Sequence, residues 1–167
     1  KEQTAISVAS LLAFEPAPPL SSSDAIETFR LPVGFQIELA AAEPQIVDPA
    51  SFQWGADGRL WVVEMRDYPS GIDGQGKPGG VVKLLEDHDA DGRYETATVF
   101  LDGIPFPTGV MPWRNGVLIS TAPDILYAED TDGDGRADKK EVLFTGFLPG
   151  NQQHRVNGFE WGLDGWI

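Results

Sequence analysis

Two short stretches of this chain combine residue types and spacing suited to binding a hard cation. One is Asp87-His88-Asp89-Ala90-Asp91-Gly92-Arg93-Tyr94-Glu95, and the other is Asp130-Thr131-Asp132-Gly133-Asp134-Gly135-Arg136-Ala137-Asp138. Each places carboxylates at loop positions 1, 3 and 5, a turn-permitting glycine at position 6, and a further carboxylate at position 9. That spacing turns side-chain oxygens toward one point, and the position 7 carbonyls of Arg93 and Arg136 add main-chain oxygens. In the second stretch Glu141 falls where a helix–loop–helix calcium site has its bidentate ligand, whereas Thr98 takes that place in the first. The flanks at 125–127 and 142–144 are strand-like, so the expectation is a strand–loop–strand site with Asp138, ahead of Glu141, closing the shell. Oxygen-only donors select calcium over zinc or copper, and magnesium takes fewer protein ligands. The candidate ligands are thus Asp87, Asp89, Asp91, Arg93 and Glu95, then Asp130, Asp132, Asp134, Arg136 and Asp138. The alternative is a pair of solvated acidic turns, which leaves their mutual repulsion unanswered.

A second group, Asn151-Gln152-Gln153-His154-Arg155-Val156-Asn157-Gly158, is the densest run of hydrogen-bonding side chains. A neutral imidazole at His154 can take a proton from a hydroxyl while neighbouring amides orient the substrate. Equally, His154 and Asn157 can satisfy backbone groups at a corner of the fold. Glu64 and Arg66 sit two apart at a strand end and share one face, which points to a salt bridge ahead of a shared polar ligand. His88 reads as an exposed spacer. The five tryptophans recur at equivalent places in a repeat and are expected in the core.

The elements that carry these groups are short and apolar. Hydrophobic residues make up 41% of the 167 and aromatic residues 10%, which excludes a disordered acidic tail despite a net charge of -14 and a pI near 4.3. With 26 acidic against 12 basic residues there is no basic stripe for nucleic acid. The acidity is local: eleven carboxylates fall in the windows 86–95 and 129–141. With no cysteine, the chain has no disulfide, thiolate metal site or haem-attachment motif of its own. The apolar run 6–14 is too short to span a membrane and reads as a signal-peptide remnant or a docked terminal segment. Residues 15–19 form a stiff proline-rich linker, and the serines at 21–23 with Asp24 and Glu27 resemble a capping box opening a short helix.

From Phe29 onward the pattern becomes that of strands. Phe35, Ile37 and Leu39 alternate with polar residues, and further strands are expected at 52–54, 60–63, 81–85, 98–101, 117–120, 125–127, 142–147 and 159–161. The dipeptides Asp57-Gly58, Asn115-Gly116 and Asp164-Gly165 mark hairpins and open a loose repeat, their glycines 58 and then 49 residues apart. This spacing suits four-stranded propeller blades with insertions. The expected fold is all-β: a short helical and extended segment at 1–28, then an incomplete β-propeller of two to three blades at 29–167. The third unit breaks off within an expected strand, which predicts further blades or a second copy covering the edge.

Several motifs together carry a family resemblance. They are Gly34-Phe35, Ala42-Glu43-Pro44, Val47-Asp48-Pro49, Asp57-Gly58-Arg59-Leu60-Trp61-Val62-Val63-Glu64-Met65-Arg66, Leu84-Leu85-Glu86-Asp87, Phe106-Pro107-Thr108-Gly109-Val110, the acidic stretch 130–138, and Gly146 with the 152–158 run. From 29 to 167 the chain closely resembles the N-terminal domain of the membrane-bound dehydrogenases of planctomycetes and verrucomicrobia, also described as PVC-type haem-binding proteins. More distantly, it is similar to soluble sugar dehydrogenases that use pyrroloquinoline quinone (PQQ). In those, a histidine followed by a glycine, an apolar stretch and an Asp-Gly turn removes the sugar hydroxyl proton. The layout of His154, Gly158 and Asp164-Gly165 matches, so the resemblance implies that His154 is the general base, with Arg155 and Asn157 beside the quinone.

The later quinone-binding blades and the usual C-terminal haem segment are not in this chain, so it is expected not to oxidise a sugar by itself; haem c would come only with such a segment. The resemblance thus implies part of a periplasmic or extracellular, calcium-binding, quinone-dependent sugar or alcohol dehydrogenase, whose partners would be a small carbohydrate or alcohol and a c-type cytochrome domain or further blades. The other expectation is a non-catalytic, calcium-stabilised propeller that binds polysaccharide or protein in an extracellular assembly.

Overall fold

A computed structural model describes residues 17–167; the apolar run 6–14 and the first two residues of the proline-rich linker lie outside the described residues. The chain divides into two units, Lys1–Leu39 and Ala40–Ile167. In the first, α1 (Ser22–Glu27) is capped as its sequence predicts: the Ser21 hydroxyl accepts the Asp24 N–H at 3.1 Å. The strand expected over 35–39 does not form. Alternation alone makes no strand, because its backbone groups need a ladder partner.

The second unit is all-β. Strands β1 (Pro49–Trp54), β2 (Leu60–Glu64), β3 (Gly80–Glu86) and β4 (Thr96–Ile104) pair antiparallel in chain order. Strands β5 (Gly109–Trp113), β6 (Gly116–Thr121), β7 (Asp124–Glu129) and β8 (Lys139–Thr145) repeat the arrangement. Neither sheet closes on itself. The expected strand at 159–161 is irregular, so among the described residues there are two such sheets and no third. The β5–β6 turn is Arg114-Asn115, one residue ahead of the expected dipeptide, with Arg114 at φ 55°. Gly116 instead joins the ladder, where any side chain would run into the Ala128 carbonyl.

The middle strands explain the packing. Every residue of β2 and β6 is buried, because both faces of each sheet are covered there. Trp61, Val63, Val82, Leu84 and Phe100 from the first sheet meet Val110, Val117, Ile119, Leu126 and Ala128 from the second in one core. Trp61 and Phe100 pack edge to face with ring centres 4.7 Å apart. The alternate residues Leu60, Val62 and Leu85 cluster with Tyr94 on the far side of the first sheet, against Ala41 and Ile46. Met111, Leu118 and Tyr127 do likewise on the far side of the second, against Trp113, Leu143 and Phe159. The expectation that all five tryptophans are core is corrected: Trp61 is buried, Trp113 half-buried, and Trp54, Trp161 and Trp166 exposed.

Glu64 ends β2 fully buried and forms the expected ion pair with Arg66, Oε2 to Nη2 at 2.5 Å. Its other oxygen accepts the Val47 N–H at 2.8 Å and meets Lys83 Nζ at 3.1 Å. Lys83 also donates to the Gln45 carbonyl, so this buried cation has two partners. Asp67 is buried as well and accepts the N–H groups of Gly79 (3.1 Å) and Phe106 (2.8 Å), tying the loop after β2 to the link between the sheets.

Two losses of stability follow. Ile119→Ala in the shared core is expected to cost about 2–5 kcal/mol in urea unfolding. Glu64→Ala leaves Lys83 buried without its carboxylate and is expected to cost about 3–5 kcal/mol.

Candidate functional site

Both acidic stretches are hairpin loops at equivalent places, one joining β3 to β4 and the other β7 to β8. Their internal bonding repeats residue for residue. Asp87 accepts the N–H groups of Ala90 and Gly92 at 2.7 and 2.9 Å, and Asp130 accepts those of Gly133 and Gly135 at 2.7 and 2.8 Å. Asp89 and Asp132 each accept an N–H two residues on at 3.2 Å, while Asp91 and Asp134 accept those of Arg93 and Arg136 at 2.8 Å. The coil needs left-handed backbone at position 4, where the second loop has Gly133 (φ 85°) and the first has Ala90 (φ 61°).

In the first loop, one carboxylate oxygen each from Asp87, Asp89, Asp91 and Glu95 lies within 4.8 Å of the others. Asp130, Asp132 and Asp134 gather in the same way in the second. Asp138, expected to complete that shell, is turned elsewhere: its carboxylate accepts the Thr131 N–H at 3.0 Å and the Thr131 hydroxyl at 2.6 Å. The hydroxyl at position 2 is the signal that sequence reasoning missed. In the first loop that position is His88, whose N–H reaches Glu95 Oε2 at 2.8 Å and whose ring pairs with Thr96. Arg93 and Arg136 keep their places on the coil with their N–H groups bound by the preceding aspartates.

The donor set fits a hard cation: the gathered carboxylates are half-buried at Asp87 and Asp130 and exposed at the other positions. The N–H groups of Gly135 and Gly133 hold the Asp130 carboxyl below the ordinary aspartate range. What this contributes to folding is complete above that ordinary range and is lost as pH falls through the lowered value. Outside the shell, Lys139 pairs with Glu129 at 2.9 Å, which lowers the Glu129 carboxyl and raises the Lys139 ammonium. The second loop also touches the first sheet: Ala137 donates its N–H to Phe100 O at 2.8 Å. The first loop makes the matching bond outward, from Tyr94 N to Ala40 O at 2.9 Å, and Gln45 donates to Tyr94 O at 2.6 Å.

The 151–158 group lies apart from these loops. His154 is exposed, and its Nδ1 sits 3.0 Å from Asn151 Nδ2. Asn151 Oδ1 accepts the Gln153 N–H at 3.1 Å, so the amide nitrogen is the atom facing the ring. An amide nitrogen only donates, hence Nδ1 accepts and the neutral ring carries its proton on Nε2. Arg155 is turned inward: Nε donates to Pro149 O at 3.0 Å and the guanidinium lies 4.1 Å from the centre of the Phe106 ring. Asn157 donates to Arg155 O at 3.0 Å. Arg155 Nη1 is buried without a hydrogen-bond partner among the described residues, so one guanidinium nitrogen remains unclaimed there.

No helix among the described residues is long and apolar enough to cross a membrane. Residues 21–167 match the family described as a domain of unknown function, DUF7133. No curated protein matches the chain.

Neutral His154 is expected to be the Nε2–H tautomer, read by long-range ¹H–¹⁵N spectra as an unprotonated Nδ1. Asn151→Ala should release that preference, and an unchanged spectrum would contradict the assigned bond.

Proposed function

The chain belongs to the DUF7133 family, and from its paired loops we propose that it is a calcium-braced segment of a β-propeller, two blades of a larger ring. One observation carries this reading: acidic coils with the same aspartate-to-backbone bonding occupy the same hairpin in successive sheets, and each coil is bonded to the structure next to its own sheet. Calcium takes about six to eight oxygens at such coils. Asp87, Asp89, Asp91 and Glu95 would hold one ion, and Asp130, Asp132 and Asp134 another, with the position 7 carbonyls of Arg93 and Arg136 beside them. Asp138 would join by leaving Thr131 or by a bridging water. The ion cancels repulsion among clustered carboxylates and stiffens the coil, which fixes Ala137 on Phe100 and Tyr94 on Ala40.

The propeller reading is supported by the sequential antiparallel order of each sheet, by their shared core, and by buried apolar residues on the far face of both. In a ring each sheet has two neighbours. Ala40 stands toward the first sheet as Phe100 of β4 stands toward the second, accepting the bond from the equivalent loop residue. Calcium at about millimolar levels, as extracellular modules use, makes the periplasm or the cell exterior the fitting compartment.

Oxidation of a sugar or alcohol by a longer protein is the second proposal, and the exposed, hydrogen-bonded His154 is the observation that favours it. In the neutral form its outward nitrogen donates, so it would first bind a substrate oxygen. It becomes a base toward a hydroxyl only when Nδ1 takes the proton and Asn151 turns its oxygen to the ring.

For the main reading, calcium is expected to raise the melting temperature and EGTA to lower it. Asp130→Ala or Asp87→Ala should each remove part of the calcium-dependent rise, and Asp87→Ala with Asp130→Ala should remove all of it. Identical melting with calcium and with EGTA would refute the reading. Ala90→Gly should stabilise the first loop by up to about 1 kcal/mol, because glycine adopts its left-handed backbone more readily.

A further inference from the structure

The two sheets correspond position by position. Trp61 pairs with Leu84 and Leu118 with Tyr127, and Leu84 and Tyr127 each stand three residues before the first aspartate of their coil. Phe100 and Leu143 each stand 13 residues after it. Both sit at bulges. Lys83 pairs with Val99 and Val82 with Leu101, just as Leu126 pairs with Val142 and Ile125 with Phe144, so each ladder skips the residue between. Trp61, Leu84 and Phe100 lie on the face of the first sheet that the second sheet covers. Leu118, Tyr127 and Leu143 lie on the same face of the second sheet, which is turned away from the first.

That second face is covered only in part. Phe100 is 3% exposed where Leu143 is half-buried, and Phe144 next to it is 63% exposed. A cleft of about 800 Å³ opens over Leu118, Ile125, Leu143 and Phe144, with Phe159, Trp161 and Ile167 in its other wall. This wall repeats an earlier hairpin. Gly55 donates to Arg59 O at 2.8 Å, Gly58 to Gly55 O at 3.1 Å, and the Arg59 N–H to Asp57 Oδ1 at 3.2 Å. Likewise Gly162 donates to Trp166 O at 2.7 Å, Gly165 to Gly162 O at 3.0 Å, and the Trp166 N–H to Asp164 Oδ1 at 3.3 Å. Residues 159–167 thus make the turn of 52–60, with Phe159, Trp161 and Ile167 in the places of Phe52, Trp54 and Leu60. Leu60 and Trp54 belong to the far side of the first sheet, both beside Tyr94. In the later hairpin the matching side meets the second sheet, where Phe159 packs against Met111, Leu118 and Tyr127.

We propose that the open face of the second sheet is the docking surface for a third sheet, with 159–167 as its opening hairpin and its remaining strands running on from Ile167 in the same polypeptide. Continuity with the interface already formed argues for this occupant. Ile119, two residues after Val117, joins Trp61 and Phe100 in the shared core. The residue two after Ile167 would join Leu118 and Leu143 in the same way. The backbone is prepared as well. Ala40 O and Phe100 O each accept an N–H from the eighth residue of a coil, Tyr94 and Ala137, whereas among the described residues no loop N–H reaches Leu143 O. A third sheet would supply that donor. The proposal rests on the propeller reading and names the partner at its open side.

The test compares the 167-residue chain with the native polypeptide extended past Ile167, both in calcium buffer. The residues after Ile167 should be apolar as Leu60-Trp61-Val62-Val63 are. The shorter chain should enhance fluorescence of the dye ANS several-fold more than the longer one, since its cleft is open. Phe144→Ser should hardly move the melting temperature of the shorter chain, where that ring is mostly in water, and should lower that of the longer by several degrees. Lys140→Ser, exposed on the same strand and outside the cleft, should act alike in both. A reading frame that stops at Ile167, equal ANS signals, or equal effects of Phe144→Ser would overturn the proposal. So would self-association of the shorter chain that Phe144→Ser abolishes, because a second copy would then be the occupant. Melting that ignores EGTA sinks the calcium brace alone, whereas a normal calcium response with equal Phe144→Ser effects sinks this docking alone.

Discussion

A sheet that is apolar on both faces must be covered twice, and this constraint governs the second unit. Alternate residues of β2 send Trp61 and Val63 into the core shared by the sheets and Leu60 and Val62 to the opposite side. In β6, Val117 and Ile119 face that shared core while Leu118 turns away from it. One layer against another would satisfy only half of these residues. Repeating the sheet about an axis would cover all of them, and this burial is what supports the proposed ring. The charged elements then fall into place. Glu64 and Lys83 meet beneath the covered strands, where each neutralises the other, while the acidic coils stay at the hairpin tips, where solvent and a cation can reach them.

Much of this was legible in the residues. Continuous apolar runs at 60–63 and 81–85 predicted buried strands because only a sheet covered on both sides tolerates them. The loop spacing predicted the clustered carboxylates, since aspartates two apart on a tight coil turn to the same point. The helix cap at Ser21 was readable for a similarly local reason. Less local features were not. The alternation at Phe35, Ile37 and Leu39 is that of a strand, yet pairing depends on a partner that a local pattern cannot supply. Trp54 and Trp61 looked alike in composition and differ in burial, because one lies on the first strand of its sheet and the other on a middle strand.

The 151–158 group shows how chemistry depends on atoms that sequence leaves open. Histidine among amides suggested a base. The Gln153 N–H bond decides which end of Asn151 faces the ring, and that in turn decides which imidazole nitrogen holds the proton. Arg155, expected beside a quinone, lies with its guanidinium over Phe106 and its Nη1 without a hydrogen-bond partner among the described residues. Conversely, a threonine that attracted no notice, Thr131, holds Asp138 away from the carboxylates it was expected to join.

The two acidic coils are 43 residues apart, whereas the hairpin glycines at 58 and 116 are 58 apart. Most of the difference lies between β2 and β3, where the first sheet makes a long excursion and the second turns within two residues. Asp67 binds Gly79 across the base of that excursion and Phe106 beyond it, so its two ends are clasped independently of what lies between. Residues 70–77 are therefore a natural graft point: a lengthened or exchanged stretch there would extend the chain without disturbing either ladder, for a closure entropy that grows only slowly with length.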